Sequence, residues 1–504
     1  MNGVRDFING VNKLSKNKRT KRILSLITAV SLTIACFSCS NGKDFSESDE
    51  KLNNESGIQT ESKSSELQQE TEVSTTVASV ITTTYVITTT KTVTTTTVST
   101  PPPTQPQTQP QIQPPPPPPT QPQTQPPPPP PTEPPPPPTE PPTEPPAQPK
   151  TIEEIINSMS VREKVGQLIF IRPEALDPNI PAKKTENTSY KTTKLEKRMT
   201  ERYNQYPVGG FALFSKNLTS PAQLKNLTAQ LHGLGSVRPL ISIDEEGGKI
   251  ARIANHSAFN VPVFANMQDI AGSGDVNQAY NLGNSIGGYL KEYGIDLDFA
   301  PVADVNTNPE NIVIGVRAFG NNPQIVGQMV SAVLNGLHSR GVMGCIKHFP
   351  GHGDTKNDTH SEYAETLKSW DEIKACEMLP FVEGINSGTD MVMAAHISAP
   401  NVTGDNLPAS LSYTLITEKL RNELGYDGVI ITDAMEMGAI TQQFSSGDAA
   451  VRAIKAGVDI ILMPQEFTAA FDSLVNAVNC GDISQERLYQ SDYRILSLKQ
   501  KYNG

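Results

Sequence analysis

Between residues 166 and 463 the chain holds eight short apolar, β-branched runs, each bounded by turn residues and separated from the next by a stretch with helical periodicity. The apolar runs are 166–171, 209–214, 240–244, 298–305, 344–349, 390–396, 428–433 and 458–463. Amphipathic stretches between them include 276–293, 323–340, 371–387 and 411–424. Eight strands alternating with helices predict an α/β fold of the (β/α)8 TIM-barrel type. The polar residues fall where such a barrel keeps its chemistry, at the carboxyl ends of the strands. Asp244, Glu245 and Glu246 follow the third run, Asp304 lies at the end of the fourth, and Lys347 and His348 close the fifth. His396 ends the sixth run and Asp433 the seventh, whereas the amino ends are mostly Gly, Pro and apolar.

The sequence before this region has a different texture. Of the 43 prolines, 28 lie between residues 101 and 150, in P-P-T-Q-P and P-P-T-E-P repeats that favour polyproline II. Residues 41 to about 98 are rich in Ser, Thr, Glu and Lys and hold too little apolar surface to offset the entropy of ordering. Residues 41–150 therefore read as a disordered linker and spacer, and 151–504 as the folded domain. Residues 1–40 read as an export segment: Lys13, Lys16, Lys18, Arg19, Lys21 and Arg22 precede an apolar run at 23–37, which is short for a permanent span. The run ends T-I-A-C-F-S-C-S, so Cys36, after Ala35, is a candidate lipid acceptor. Membrane attachment through Cys36 is the expectation, and a secreted product of ordinary signal cleavage is the alternative. A net charge of −11 gives no basic footprint for nucleic acid. Of five cysteines, Cys345, Cys376 and Cys480 fall in the folded part, with no metal-finger spacing and no disulfide framework.

Two stretches concentrate reactive groups. Residues 345–361, C-I-K-H-F-P-G-H-G-D-T-K-N-D-T-H-S, run from a buried strand into a glycine-rich loop and hold three of the seven histidines. Lys347 and His348 at the strand end can donate hydrogen bonds to sugar hydroxyls. His352 and Asp354 read as loop scaffold, with glycines that allow close approach and positive φ. Asp358 and His360, two apart in an extended loop, share a side, so the carboxylate can orient the imidazole for general acid and base work. A zinc pair at His348 and His352 is the rival, but Pro350, Gly351 and Gly353 forbid the helix it needs. The second stretch, G-V-I-I-T-D-A-M-E-M at 428–437, delivers Asp433 rigidly as a nucleophile; helix capping is its alternative, and Glu436 reads as a helix residue. Asp244 fits a carboxylate that binds sugar hydroxyls or a structural ion pair, with Arg252 beyond the Gly-Gly turn and Arg317 as complementary donor.

Together D-E-E-G-G-K-I, D-F-A-P-V-A-D-V-N-T-N-P, I-G-V-R-A-F-G, K-H-F-P-G-H-G-D-T, D-T-H-S and I-T-D-A-M-E-M resemble the β-N-acetylglucosaminidase branch of glycoside hydrolase family 3, over residues 151–504. The resemblance implies that Asp433 is the nucleophile of a retaining exo-enzyme and that Asp358 and His360 replace the usual carboxylic acid. It implies that Asp244, Arg317, Lys347 and His348 grip a terminal N-acetylglucosamine, with Arg252 beside them. Lys249, Ala318 and Thr359 stand where Arg, Ser and Ser are frequent. Many members carry a further domain; here the chain stops soon after a helix predicted at 484–502, as in a barrel-only form. The expected partner is an oligosaccharide ending in N-acetylglucosamine, from peptidoglycan or chitin, with no cofactor, no nucleic acid and a monomeric chain. A β-glucosidase or phosphorylase of the same family, a metal-dependent hydrolase, and a non-catalytic sugar-binding module are the alternatives.

Overall fold

Eight parallel strands close on themselves in the computed structural model, which describes residues 150–356 and 364–503. They are β1 (Ile169–Ile171), β2 (Gly210–Leu213), β3 (Leu240–Ile243), β4 (Leu297–Asp298), β5 (Met343–Phe349), β6 (Met391–Ala394), β7 (Val429–Thr432) and β8 (Ile461–Leu462). Each pairs with the next in sequence from β1 to β7, and β8 pairs with β1. A parallel bridge from Ile431 to Ile460 completes the ring. Outside lie α1 (Lys197–Gln205), α2 (Pro221–His232), α3 (Val276–Glu292), α4 (Pro323–His338), α5 (Met378–Asn386), α6 (Thr414–Glu423, wound as a π-helix), α7 (Ser446–Ala456) and α8 (Phe467–Asn479). The (β/α)8 barrel expected from the repeat is therefore the observed fold. Asp358, Thr359, His360, the export segment and the linker expected up to residue 149 lie outside the described residues.

Local sequence explains where the helices start. Asn322 caps α4 by accepting the amides of Gln324 and Ile325, with Pro323 in the first turn where no donor is needed. Ser220 and Pro221 do the same for α2. Three departures from the predicted elements have equally local causes. The run 166–171 yields a strand only at Ile169–Ile171, because Ser160 and Glu163 form a capping box that starts a helix, Val161–Gln167, through Gly166. The run 298–305 is strand only to Asp298; Pro301 lacks an amide, and the chain beyond it meets β5 through the Val302–Lys347 bridge. The helix predicted at 371–387 breaks at Cys376, which places Pro380 in the first turn of α5.

The amino-terminal face of the barrel is tied by a motif that recurs on alternate strands. Asp296, Asp390 and Asp459 stand just before β4, β6 and β8. They accept the amides of Ile241 (2.8 Å), Gly344 (3.0 Å) and Ile430 (3.0 Å) from the preceding odd strands. Each also takes a cationic or imidazole partner from the preceding even helix: His232 at 2.8 Å, His338 at 2.8 Å, and Arg421. The last helix, Gln485–Asn503, lies across this face. Ser491 donates to Asp459, Lys499 to Gln167 and to the Gly209 carbonyl, and Lys501 and Tyr502 to Asp390. Buried carboxylates here join strand, helix and terminal helix at single points.

Burial opposes the charge of Asp390, but His338 and Lys501 outweigh it and hold its carboxyl below the ordinary value. A carboxyl depressed on folding stabilises the fold fully above its unfolded value of about 3.9 and ceases to do so as pH falls through the folded value. Asp390→Asn is therefore expected to lower stability by about 3 kcal/mol at pH 7. Urea unfolding of the variant should lose part of the decline that wild type shows below pH 4.

Candidate active site

At the opposite, carboxyl-terminal end of the strands a cavity of about 490 Å³ is lined by residues from the ends of β2, β3, β5, β6, β7 and β8. Its wall is an ion lattice centred on Lys347, whose ammonium donates to Asp244 Oδ1 at 2.8 Å and meets Glu246 Oε1 at 2.7 Å. Arg317 grips Glu246 with two bonds, Nε to Oε2 at 2.9 Å and Nη2 to Oε1 at 2.7 Å. Arg252 reaches the other oxygen of Asp244 at 3.3 Å. Burial alone would raise both carboxyls, yet the surrounding cations win: Asp244 is held far below the usual carboxylate range by Lys347 and Arg252, and Glu246 at about 2 by Arg317 and Lys347. Burial would likewise lower Lys347, and the two carboxylates keep it protonated instead.

Neighbouring residues of a regular strand point to opposite faces, yet both Lys347 and His348 line the cavity. The register between β5 and β6 slips at this point, with Lys347 opposite Met393 and Phe349 opposite Ala394, so His348 is turned out of the ladder. Asp304 pins both His348 and the turn after it. Its Oδ2 accepts from His348 Nδ1 at 2.6 Å, and its Oδ1 accepts the amides of His348 (3.2 Å) and His352 (2.6 Å). The proton on Nδ1 leaves Nε2 as the ring nitrogen available to a ligand. The turn needs its glycines: Gly351 has φ +121°, and a Cβ on Gly353 would lie 2.0 Å from the Val305 carbonyl oxygen.

His352, expected as scaffold, lines the cavity, with Nδ1 bonded to Thr355 Oγ1 at 2.7 Å; burial lowers its basicity. Asp354 does act as scaffold, accepting from Thr307 and pairing with Lys368, both at 3.1 Å. Among the described residues no three His, Cys, Asp or Glu side chains converge as a metal site.

Asp433, Asp244, Arg252, Arg317, Lys347 and His348 all line this one cavity, while Asp358 and His360 lie outside the described residues. Asp433 extends β7: its amide donates to the Ala394 carbonyl at 2.8 Å, and its Oδ1 accepts the Ala434 amide at 2.7 Å. Glu436 departs from expectation. It sits in the turn after β7, before the short helix Gly438–Thr441, and accepts from Arg172 Nε at 2.9 Å; the Arg172 guanidinium lies 3.6 Å from the centroid of the Phe214 ring. All three residues line the cavity.

The model of the glycosyl hydrolase family 3 N-terminal domain matches residues 160–498. The chain belongs to glycosyl hydrolase family 3. Among similar curated proteins, beta-hexosaminidase A of Pseudoalteromonas piscicida is 37% identical over 338 residues, 61% of this chain and 56% of the relative. The beta-hexosaminidase of Hydrogenovibrio crunogenus is 35% identical over 322 residues, 62% of this chain and 88% of the relative. The solved family 3 β-N-acetylglucosaminidase of Paenibacillus sp. is similar with a TM-score of 0.63 and 36% identity, covering 69% of this chain and 63% of that one. This family 3 chain thus spans a little over half of the first relative.

Sequence reasoning gave Glu246 no role of its own and passed over Arg172 and the cavity-facing position of Glu436. Glu246 carried a usable signal, because it stands two residues after Asp244 and so faces the same side of an extended segment. Glu245 between them points inward and accepts the amides of Ile253 and Ala254, each at 2.8 Å. The Arg172–Glu436 pair joins residues 264 apart and left no local signal. Glu246→Ala would leave Lys347 and Arg317 without a shared buried counter-charge. It is expected to cost about 3–5 kcal/mol in urea unfolding, more than Asp244→Ala, whose carboxylate is the more exposed of the two.

Proposed function

We propose that this family 3 chain is a retaining exo-β-N-acetylglucosaminidase that releases terminal N-acetylglucosamine from peptidoglycan fragments or chitin-type oligosaccharides. The observation that carries the reading is the placement of Asp433, on a rigid strand end, in the same cavity as the Lys347 lattice and His348. A cavity of about 490 Å³ is within the range of small-ligand sites and suits the end of a sugar chain rather than its middle. Relatives named beta-hexosaminidase and a similar β-N-acetylglucosaminidase structure support the choice of sugar.

In this reading Asp244, Lys347, His348, Arg252 and Arg317 hold and orient the terminal sugar, carboxylates accepting from its hydroxyls and cations donating to them. The Asp433 carboxylate attacks the anomeric carbon as the glycosidic bond breaks. His360, oriented by Asp358, gives its proton to the departing oxygen. A glycosyl ester on Asp433 results; His360 then takes a proton from water, whose oxygen displaces Asp433 and restores the starting configuration. The export segment and linker support a place outside the cell, on a spacer anchored through Cys36 or as a secreted product, with the chain acting as a monomer.

An aryl N-acetyl-β-glucosaminide and the matching β-glucoside, tested side by side on the full chain, decide between readings. Turnover of the first at least tenfold faster, with β-anomer released first by NMR, is expected. Asp433→Ala should lose about 10⁴-fold or more in kcat, and His360→Ala about 10²–10⁴-fold. No turnover by wild type would favour the sugar-binding module, and full activity in either variant would overturn the assigned roles.

A further inference from the structure

The segment that presents Asp433 is held from both flanks. On the β6 side the Asp433 amide donates to the Ala394 carbonyl at 2.8 Å; on the β8 side the Met435 amide donates to the Leu462 carbonyl at 2.9 Å. Ala434 lies between these anchors, and its own amide donates to Asp433 Oδ1 at 2.7 Å. A side chain also enters this backbone network. His396 Nε2 donates to the Ala434 carbonyl at 3.0 Å, and Nδ1 is 2.8 Å from Ser410 Oγ. A carbonyl only accepts, so the bond places a proton on Nε2, and the Ser410 hydroxyl, able to donate or accept, holds Nδ1. His396 and Ser410 are fully buried, and His396 is not in the cavity wall.

We propose that His396 is a positioning residue for the nucleophile, acting through Ala434. The inference rests on the reading of Asp433 as nucleophile. Ala434 is fixed at both ends, by the carboxylate it donates to and by the imidazole that donates to it, so its two soft dihedrals are set together. Its amide in turn selects one orientation of the Asp433 carboxylate. A buried imidazole with a partner at each nitrogen is a costly way to fill core space that a leucine could fill. Its value lies in direction: it reaches from the end of β6 to the first residue beyond the nucleophile, where the backbone leaves the strand ladder. Displacement of a reacting group by about 1 Å can cost on the order of 100-fold in rate.

Full-length His396→Leu, His396→Gln, Ser410→Ala and Asp433→Ala test this with an aryl N-acetyl-β-glucosaminide, rates being normalised to folded protein by thermal unfolding. Expected is a kcat for His396→Leu lower by on the order of 100-fold with KM within about twofold, since the sugar-holding groups are untouched. Gln, which can place an N–H near the same carbonyl, should recover at least tenfold of that loss, and Ser410→Ala should lower kcat by about threefold to tenfold. Wild-type kcat in His396→Leu, beside an inactive Asp433→Ala, would overturn the inference and leave the function standing. Equal losses in Leu and Gln, or a rise in KM matching the fall in kcat, would reduce His396 to a packing residue. If His396→Leu does not fold, Ser410→Ala decides, with unchanged kcat counting against the proposal. An active Asp433→Ala would remove the function reading on which the inference rests.

Discussion

One ammonium group holds the upper end of the barrel together. Lys347 projects from β5 between Asp244 and Glu246, which follow β3, and Glu246 passes the connection to Arg317 in the turn Gly315–Arg317 beyond β4. Three strand ends are thereby joined by charge rather than by apolar contact. Taking such groups out of water costs several kcal/mol per ion, and the cost is offset only when every lone pair and proton finds a partner at short range. Here three cations share two carboxylates, and the Asp433 carboxylate lines the same cavity. A lattice of this kind is a poor means of adding stability and an effective means of holding donors and acceptors ready for a polar ligand.

The two ends of the barrel use similar residues for different purposes. At the amino-terminal end, Asp296, Asp390 and Asp459 each bind a backbone amide and a helix-borne partner, and the terminal helix covers two of them through Ser491, Lys501 and Tyr502. At the other end the charged side chains face a cavity, and their backbone is shaped to bring them there. The slipped register at His348, the close approach at Gly353 and the left-handed Met463, φ 47°, all occur around this cavity. Irregular backbone at one end and repeated, fully bonded joints at the other divide the work between reactivity and stability.

The barrel was legible because its determinants are local and repeated: eight apolar runs, the caps at Ser220 and Asn322, and acids gathered at one set of strand ends. The errors arose where a short-range competitor decided the outcome, as with the capping box that carries a helix through Gly166 and the proline that ends β4 early. In the site, Asp433, Asp244, Arg252, Arg317, Lys347 and His348 were readable from strand-end position and motif. Residues whose place depends on long-range pairing were not. Arg172, after β1, meets Glu436, after β7, and His396 meets Ala434 across two strand ends; composition and periodicity carry no trace of either contact. The assignments of Asp358 and His360 rest on their spacing and on the resemblance.

The hydrogen bonds of the cavity wall occupy most of its carboxylates. A general acid must carry a proton of its own when substrate binds. Asp244 accepts from Lys347 and Arg252, Glu246 from Lys347 and Arg317, and Glu436 from Arg172, so each serves as an acceptor for a fixed cation. Asp433 likewise accepts, from the Ala434 amide. His348 commits one nitrogen to Asp304 and lines the cavity wall. With these carboxylates occupied as acceptors, the proposed reading takes the proton from His360, the role that the resemblance implies, rather than from a carboxylic acid of the wall.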